Sequence, residues 1–121
     1  MRVFIKGNVP SLKNSKQWTG KHLISSKSVR EYLKNHKLDY LQYKLKWINE
    51  LEKLEKPYKI SFKFIRGSRH RFDYVNAVQL PLDIMVDIGV LEDDNADIVL
   101  PVFEQYEYNK ETPGVWIEIL K

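Results

Sequence analysis

Alternation of apolar residues with their neighbours predicts four strands and a shorter fifth one. The period of two is clearest in Ile60, Phe62 and Phe64, and Val3 and Ile5 repeat it near the start of the chain. The predicted strands cover residues 2–6, 58–65, 99–108 and 115–120, with the short one at 22–25. Because residues 109–114 have the composition of a turn, we expect the last two strands to form a closing hairpin.

Helical spacing of apolar residues predicts two helices. The first begins with Ser28 as N-cap, three residues before Glu31, and ends before Pro57. The second runs from Asp73 to Gly89 and contains a proline at position 81. The first helix carries two apolar rows, one of Leu38, Leu41, Leu45 and Ile48, the other of Tyr40, Tyr43, Trp47, Leu51 and Leu54. Residues 11–20 are polar and basic, which predicts a mobile loop.

Together these elements predict an α+β fold in two layers, with a mixed sheet of about five strands packed with two helices. The chain has 121 residues, of which 43% are hydrophobic, and this suits a single domain over residues 1–121 with one core. We see neither an internal repeat nor a linker that would divide it.

The net charge of +4 conceals an asymmetry along the chain. Residues 1–71 carry 18 Lys and Arg against 5 Asp and Glu, a balance of +13, whereas residues 72–121 carry 2 against 11, a balance of −9. A basic surface suits a polyphosphate backbone, because binding releases condensed counterions. Lysines that merely solvate a long helix would produce the same balance, so charge alone leaves both interpretations open.

The absence of cysteine excludes a disulfide framework and thiolate metal sites. The first residues lack the apolar segment of a signal peptide, and no run approaches the ~18 apolar residues that a membrane span needs. We therefore expect a soluble, unprocessed, cytoplasmic protein.

Carboxylates at both ends of the second predicted helix are the candidates for chemistry. Asp73 lies at its start, and Asp93 and Asp94 follow its end. If strand ends bring these groups together, a Mg²⁺ ion would relieve their repulsion, polarise a phosphodiester and activate a bound water. The ordinary alternatives are that Asp73 caps the helix and that residues 93–95 form a polar turn.

Calcium binding is an alternative interpretation of the carboxylates that follow the second helix, although their pattern fits it only in part. Asp93, Asn95, Asp97 and Glu104 occupy positions 1, 3, 5 and 12 of an EF-hand loop. Ile98 stands where that loop requires a glycine, and the following residues are typical of a strand.

The segment 72–97 resembles the core of the RusA family of phage and prophage Holliday-junction resolvases. The family pattern is Asp-x-Asp-Asn, a helix carrying an Asp, a Gly at its end, and then Asp-Asp. The residues that match it without a gap are Asp73, Asn76, Asp83, Gly89, Asp93 and Asp94. Pro10-Ser11 and Ile24-Ser25 agree more loosely with the N-terminal part of the family.

The resemblance implies a RusA-like fold and a homodimer that grips branched DNA on a basic surface during recombination and repair, in a bacterial or phage-infected cell. It implies that Asp73, Asp93 and Asp94 are the catalytic residues and hold Mg²⁺, and that symmetrically placed phosphodiesters are cut. Asn76 and Asp83 lie on one helical face with Asp87, where they either support these residues through hydrogen bonds or are simply exposed at the surface.

Two departures from the family pattern bear on activity. The family's second aspartate is Val75 here, and the lysine expected three residues after the asparagine is Gln79. Losing an acidic ligand and a cation should weaken metal binding and transition-state stabilisation. Either Asp97, Glu92 or His70 substitutes for the missing ligand, or the cutting activity is altered or lost.

Basic residues on both sides of the candidate site are expected to contact phosphates. They are Lys13, Lys16, Arg66, Arg69 and Arg71, and the forked arginine side chain suits this role best. Trp18 and His22 are candidates for stacking on exposed bases, although core packing suits Trp18 equally well.

Two rival functions stay open from sequence alone. One is a catalytically weakened protein that binds branched DNA on the same fold. The other is a nuclease that prefers flaps or replication forks to four-way junctions. Cleavage assays on synthetic substrates would separate them.

Overall fold

The computed structural model describes residues 1–11 and 27–121 in full and residues 16–18 and 23–25 as backbone. Its helices are α1 (Lys27–Leu41), α2 (Lys44–Leu51) and α3 (Tyr74–Asp87). Its strands are β1 (Arg2–Lys6), β2 (Lys16–Trp18), β3 (Leu23–Ser25), β4 (Tyr58–Arg66), β5 (Val99–Phe103), β6 (Glu107–Tyr108) and β7 (Gly114–Ile119). Within these described ranges, none of the helices has the length and apolar character needed to cross a bilayer.

Five strands form one mixed sheet around β4. The order is β1-β7-β4-β5, and β6 pairs with the last part of β4 beyond the end of β5. β7 runs antiparallel to both β1 and β4, whereas β5 and β6 run parallel to β4. This arrangement confirms the predicted α+β fold with a mixed sheet, although it contains three helices where two were expected.

The predicted closing hairpin is wrong. β5 and β7 do not pair with each other, because each lies on a different side of β4. β4 is a central strand that pairs along one edge with β7 and along the other with β5. Pro101 lacks a backbone donor and suits β5 to the edge of the sheet. The strand expected over 99–108 is also divided into β5 and β6.

One face of the sheet holds the core. Val3 pairs with Ile117, and Ile117 pairs with Phe62, so the register aligns apolar side chains across β1, β7 and β4. Its members are Val3, Ile5, Ile60, Phe62, Phe64, Val115, Ile117 and Ile119, all of them buried. The helices pack on this face, and the opposite face carries partly exposed side chains such as Trp116.

The first predicted helix is two helices. α1 begins at Lys27, so Ser28 is inside the helix and is not its N-cap. The chain leaves helical geometry at Tyr43, whose φ of −99° and ψ of 0° separate α1 from α2. Only one of the two apolar rows reaches the core: Tyr40 and Trp47 are 0% exposed, whereas Leu38 and Leu45 are 74% and 73% exposed.

The basic segment expected to be a loop contains a strand. β2 pairs antiparallel with β3, with Lys16 opposite Ser25 and Trp18 opposite Leu23. The predicted short strand is thus confirmed at Leu23–Ser25. Its partner β2 lies in the segment for which a loop was predicted, so that prediction is corrected. Lys13 and His22 lie outside the described residues, as do the side chains of Lys16 and Trp18.

Gly89 ends α3 as the sequence predicts. Its φ of 87° is left-handed, a conformation that favours glycine. The N–H of Val90 donates to the carbonyl of Met85 (2.9 Å), and the N–H of Gly89 donates to that of Val86 (3.1 Å). This pair of bonds is a Schellman motif, which satisfies carbonyls at the helix end.

Gly114→Ala is expected to destabilise the fold by about 1–3 kcal/mol through overpacking. A Cβ at this position would lie 2.5 Å from the carbonyl oxygen of Ile5, a backbone atom of β1 that cannot move without disturbing the sheet. Gly67→Ala is the control, because its Cβ would lie 3.1 Å from Pro113 Cβ. Urea unfolding of both variants measures the difference, and equal midpoints would contradict this close approach.

Candidate functional site

Asp73 occupies the N-terminal end of α3 without capping it through its side chain. Its φ of −114° and ψ of 138° are extended, and its carboxylate makes no capping hydrogen bond. The backbone alone starts the helix, since the N–H of Ala77 donates to the Asp73 carbonyl (3.0 Å). Asn76 Nδ2 donates to the exposed Asp73 carboxylate at 3.2 Å, a bond of the supporting kind expected for this residue.

Asp93, Asp94 and Asn95 form an exposed polar turn. Asp93 Oδ1 accepts from the backbone N–H of Asp94 (2.7 Å), and its Oδ2 accepts from Asn95 Nδ2 (2.9 Å). Asn95 Oδ1 accepts in turn from the N–H of Asp97 (2.9 Å). The bond from the Asp94 N–H, together with that from Asn95, lowers the pKa of Asp93.

The two groups of carboxylates lie at opposite ends of the molecule's central elements. Phe72, adjacent to Asp73, packs on Phe64 near the end of β4 (6.2 Å between ring centroids). Glu92, adjacent to Asp93, forms an ion pair with Lys56 just before β4 begins. Between the two groups runs α3, whose 14 residues span about 20 Å.

The structure therefore does not bring Asp73 together with Asp93 and Asp94 inside a single chain. The two groups of carboxylates lie apart because α3 runs back along the sheet, from the end of β4 to its start. Among the side chains that the structure describes, no three acidic or histidine residues form a group that could hold a metal ion.

The EF-hand alternative also fails on geometry. Asp93, Asn95 and Asp97 lie before β5, whereas Glu104 follows it. The five extended residues of β5 separate them by roughly 16 Å. Glu104 instead accepts hydrogen bonds from Arg2 (3.1 Å) and Ser61 (3.2 Å).

The three residues that were expected to substitute for the missing acidic ligand do not lie together, since one is near the start of α3 and two are beyond its end. His70 is exposed in the loop before Asp73, whereas Asp97 and Glu92 lie with Asp93 at the other end. The Glu92 carboxylate is engaged with Lys56. None of the three therefore joins the two groups within one chain.

Arg66 has a structural role instead of the expected phosphate contact. Its side chain is buried, donates to the Val9 carbonyl at 2.6 Å and lies over the Phe72 ring at 4.4 Å. Burial lowers the pKa of its guanidinium, which nevertheless stays charged. A buried arginine held in this way cannot reach a DNA backbone.

Arg69 and Arg71, in contrast, are exposed in the segment that leads to Asp73. The Arg69 guanidinium lies 4.0 Å from the centre of the Tyr108 ring. This end of the sheet therefore carries exposed cations and an exposed carboxylate, the two kinds of group that a metal-dependent phosphodiester-binding surface uses. These two arginines therefore stay candidates for phosphate contacts.

The sequence did not point to a group of five aromatic side chains that lie at this end of the sheet. They are Phe72, Tyr74, Phe103, Tyr106 and Tyr108, which we call the aromatic edge. Tyr106 contacts Phe72 at 4.9 Å, and Tyr74 stacks on Phe103 at 5.1 Å. In the sequence these aromatic residues occur close to β6 and to the start of α3. That pattern was not distinctive, because aromatic residues are also common in ordinary strands and helices.

One stripe of α3 faces solvent. It contains Val75, Gln79, Asp83 and Asp87, spaced by four residues. Val75 is 64% exposed, which is unusual for a valine and leaves an apolar side chain next to Asp73 without cover. Asp87 forms an ion pair with Lys37 of α1. Asp83 lies about 13 Å by helical rise from the start of α3 and about 6 Å from its end.

No protein-family model matches this chain, and no curated protein matches it significantly.

Proposed function

We propose that this chain is a Mg²⁺-dependent endodeoxyribonuclease that resolves Holliday junctions or related branched DNA in recombination and repair. The observation that carries the proposal is the Asp73 carboxylate, exposed at the start of α3 and not used for capping. It has Asn76 as a hydrogen-bond donor and exposed Arg69 and Arg71 nearby in the chain. Through a bridging Mg²⁺ ion such a carboxylate would approach a scissile phosphate, and the arginines would contact the phosphate oxygens.

A homodimer reconciles Asp73 with Asp93 and Asp94. If two copies of α3 run antiparallel across a two-fold axis, Asp73 of one copy meets Asp93 and Asp94 of the other. Two such sites would form, about 20 Å apart, because that is the length of α3. The exposed stripe of α3 with its uncovered Val75 is the surface that supports this pairing. Carboxylate oxygens gathered in this way are the ligands that Mg²⁺ prefers.

The test is cleavage of a synthetic four-way junction with and without Mg²⁺. We expect symmetric nicks with the ion and intact junction in its absence. A flap and a replication fork with the same sequences, assayed in parallel, define the preferred substrate. Junction binding without cleavage at any Mg²⁺ concentration would contradict the nuclease and support the alternative below.

Val75→Asp is expected to raise junction cleavage by roughly tenfold, since one added carboxylate ligand is worth on the order of 1 kcal/mol or more of transition-state stabilisation. Val75 is 64% exposed in the single chain, so the substitution does not disturb the core. Val75→Asn is the control, because it changes polarity without adding charge. Single-turnover rates would measure the effect, and identical rates for both variants would show that this position contributes no ligand.

The alternative is a catalytically weakened protein that binds branched DNA on the same fold. Val75 and Gln79 favour it, since both stand on the exposed stripe of α3 where the family pattern has charged residues. The arginines and the aromatic edge would then serve binding alone.

A further inference from the structure

The aromatic edge is unusual because its rings pack together without being buried. The core rings of Phe62, Phe64 and Tyr40 are 0% exposed, whereas Tyr106 and Tyr108 are 42% and 39% exposed. Phe72, Tyr74 and Phe103 are half-buried beneath them. A set of exposed rings next to a candidate catalytic carboxylate is typical of a binding surface.

Hydrogen bonds anchor the backbone segments that carry Tyr106 and Tyr108 and the hydroxyl of Tyr74. The backbone N–H of Tyr106 donates to the Tyr74 hydroxyl at 3.1 Å. Tyr108 is paired with Arg66 through β6, and the N–H of Asn109 donates to the Arg66 carbonyl at 2.9 Å. A ligand that stacks on rings held in this way loses little free energy to ordering them.

The charges around these rings favour an anionic occupant. Arg69 lies over Tyr108 at 4.0 Å, and Arg71 is exposed two residues further on. The negative charge of Glu107, which lies between the two tyrosines in sequence, is offset by Lys63 at 2.8 Å. Alternating rings and guanidinium groups are the chemistry that binds unpaired bases together with their phosphates.

We propose that Tyr106 and Tyr108, with Arg69, form a stacking platform for an unpaired nucleobase of the DNA strand whose phosphate lies at Asp73. The inference rests on the proposed function and names its substrate class: branched DNA that exposes unpaired bases at the branch point. Fully paired duplex offers no free ring face to the platform and would be held by charge alone.

The test is DNA binding in EDTA, which separates stacking from cleavage. Fluorescence anisotropy of a single-stranded oligonucleotide, a four-way junction with unpaired bases at its centre and a paired duplex gives three affinities. We expect Tyr106→Ser and Tyr108→Ser to weaken single-strand and junction binding by about tenfold each, in line with loss of one stacked base, and to leave duplex binding within about twofold. Tyr106→Phe and Tyr108→Phe keep the ring and should bind normally.

Leu45→Ser is the matched control, because it removes a 73% exposed apolar side chain from α2. Quenching of 2-aminopurine placed at the branch point gives a second readout, which should be lost in the Ser variants and kept in the Phe variants. Circular dichroism and elution volume check fold and oligomeric state.

Several outcomes would overturn the platform. Equal losses on duplex and single strand would reduce the surface to general electrostatics. A shift in elution volume of the Ser variants would make it an interface with a second copy. Normal binding by those variants, beside a wild type that cleaves junctions, would remove the platform and leave the proposed function standing. A wild type that neither binds nor cleaves DNA would remove both.

Discussion

Asp73→Asn is expected to lower the rate of junction cleavage by at least about a hundredfold and to leave junction affinity within about twofold. The substitution keeps the shape of the side chain and removes its charge, so the loss of a Mg²⁺ ligand should cost several kcal/mol of transition-state stabilisation. Affinity should survive, because Arg69, Arg71 and the aromatic edge are unchanged. Single-turnover cleavage and anisotropy in EDTA measure the two quantities.

Folding is not expected to suffer in this variant, since the Asp73 carboxylate makes no capping bond to α3. Glu52→Gln is the control, because it removes an exposed carboxylate at the end of α2. A variant that cuts at the normal rate would exclude Asp73 from the chemistry, whatever becomes of its binding.

Mixing two inactive variants is expected to restore cleavage. One carries Asp73→Asn, and the other carries both Asp93→Asn and Asp94→Asn. Each homodimer would lack a ligand at both of its sites. In a heterodimer, one site combines the intact Asp73 of one chain with the intact Asp93 and Asp94 of the other, so random mixing should return about a quarter of wild-type activity.

This result depends on the separation of the two groups of carboxylates along α3. If each site were complete within one chain, both sites of a heterodimer would be defective and the mixture would stay inactive. Calorimetric titration of Mg²⁺ into the mixture gives an independent readout, since the mixture should bind about one quarter as many ions as wild type. Co-expression of the two variants with different tags, followed by purification of the heterodimer, removes the dilution by homodimers.

Much of the candidate site was predictable one residue at a time. The positions of Asp73 at the start of a helix, of Gly89 at its end and of Asp93 in a turn all follow from short-range patterns, and the structure has them there. The exposure of Arg69 and the burial of Arg66 were not predictable, because two arginines three residues apart look alike in sequence. Only the packing of Val9 and Phe72 around Arg66 distinguishes them.

The strand pairing shows the same division at a larger scale. β1, β4 and the second half of the closing pair were predicted from alternation, and each is a strand. The hairpin expected between residues 99–108 and 115–120 is absent, since β4 lies between them. Proximity in sequence favoured a hairpin, whereas in the sheet β4 pairs with β7 along one edge and with β5 along the other.

The sequence by itself determined most of the strands, the second predicted helix, the α+β class and the chemistry available at each position, because periodicity and turns depend on neighbours a few residues away. Only the tertiary structure decided which row of the first helical segment is buried, which strands are neighbours, and that Asp73 and Asp93 stand at opposite ends of α3. These are non-local properties: they depend on which surfaces the whole chain can bury together, and no short window of residues contains that information.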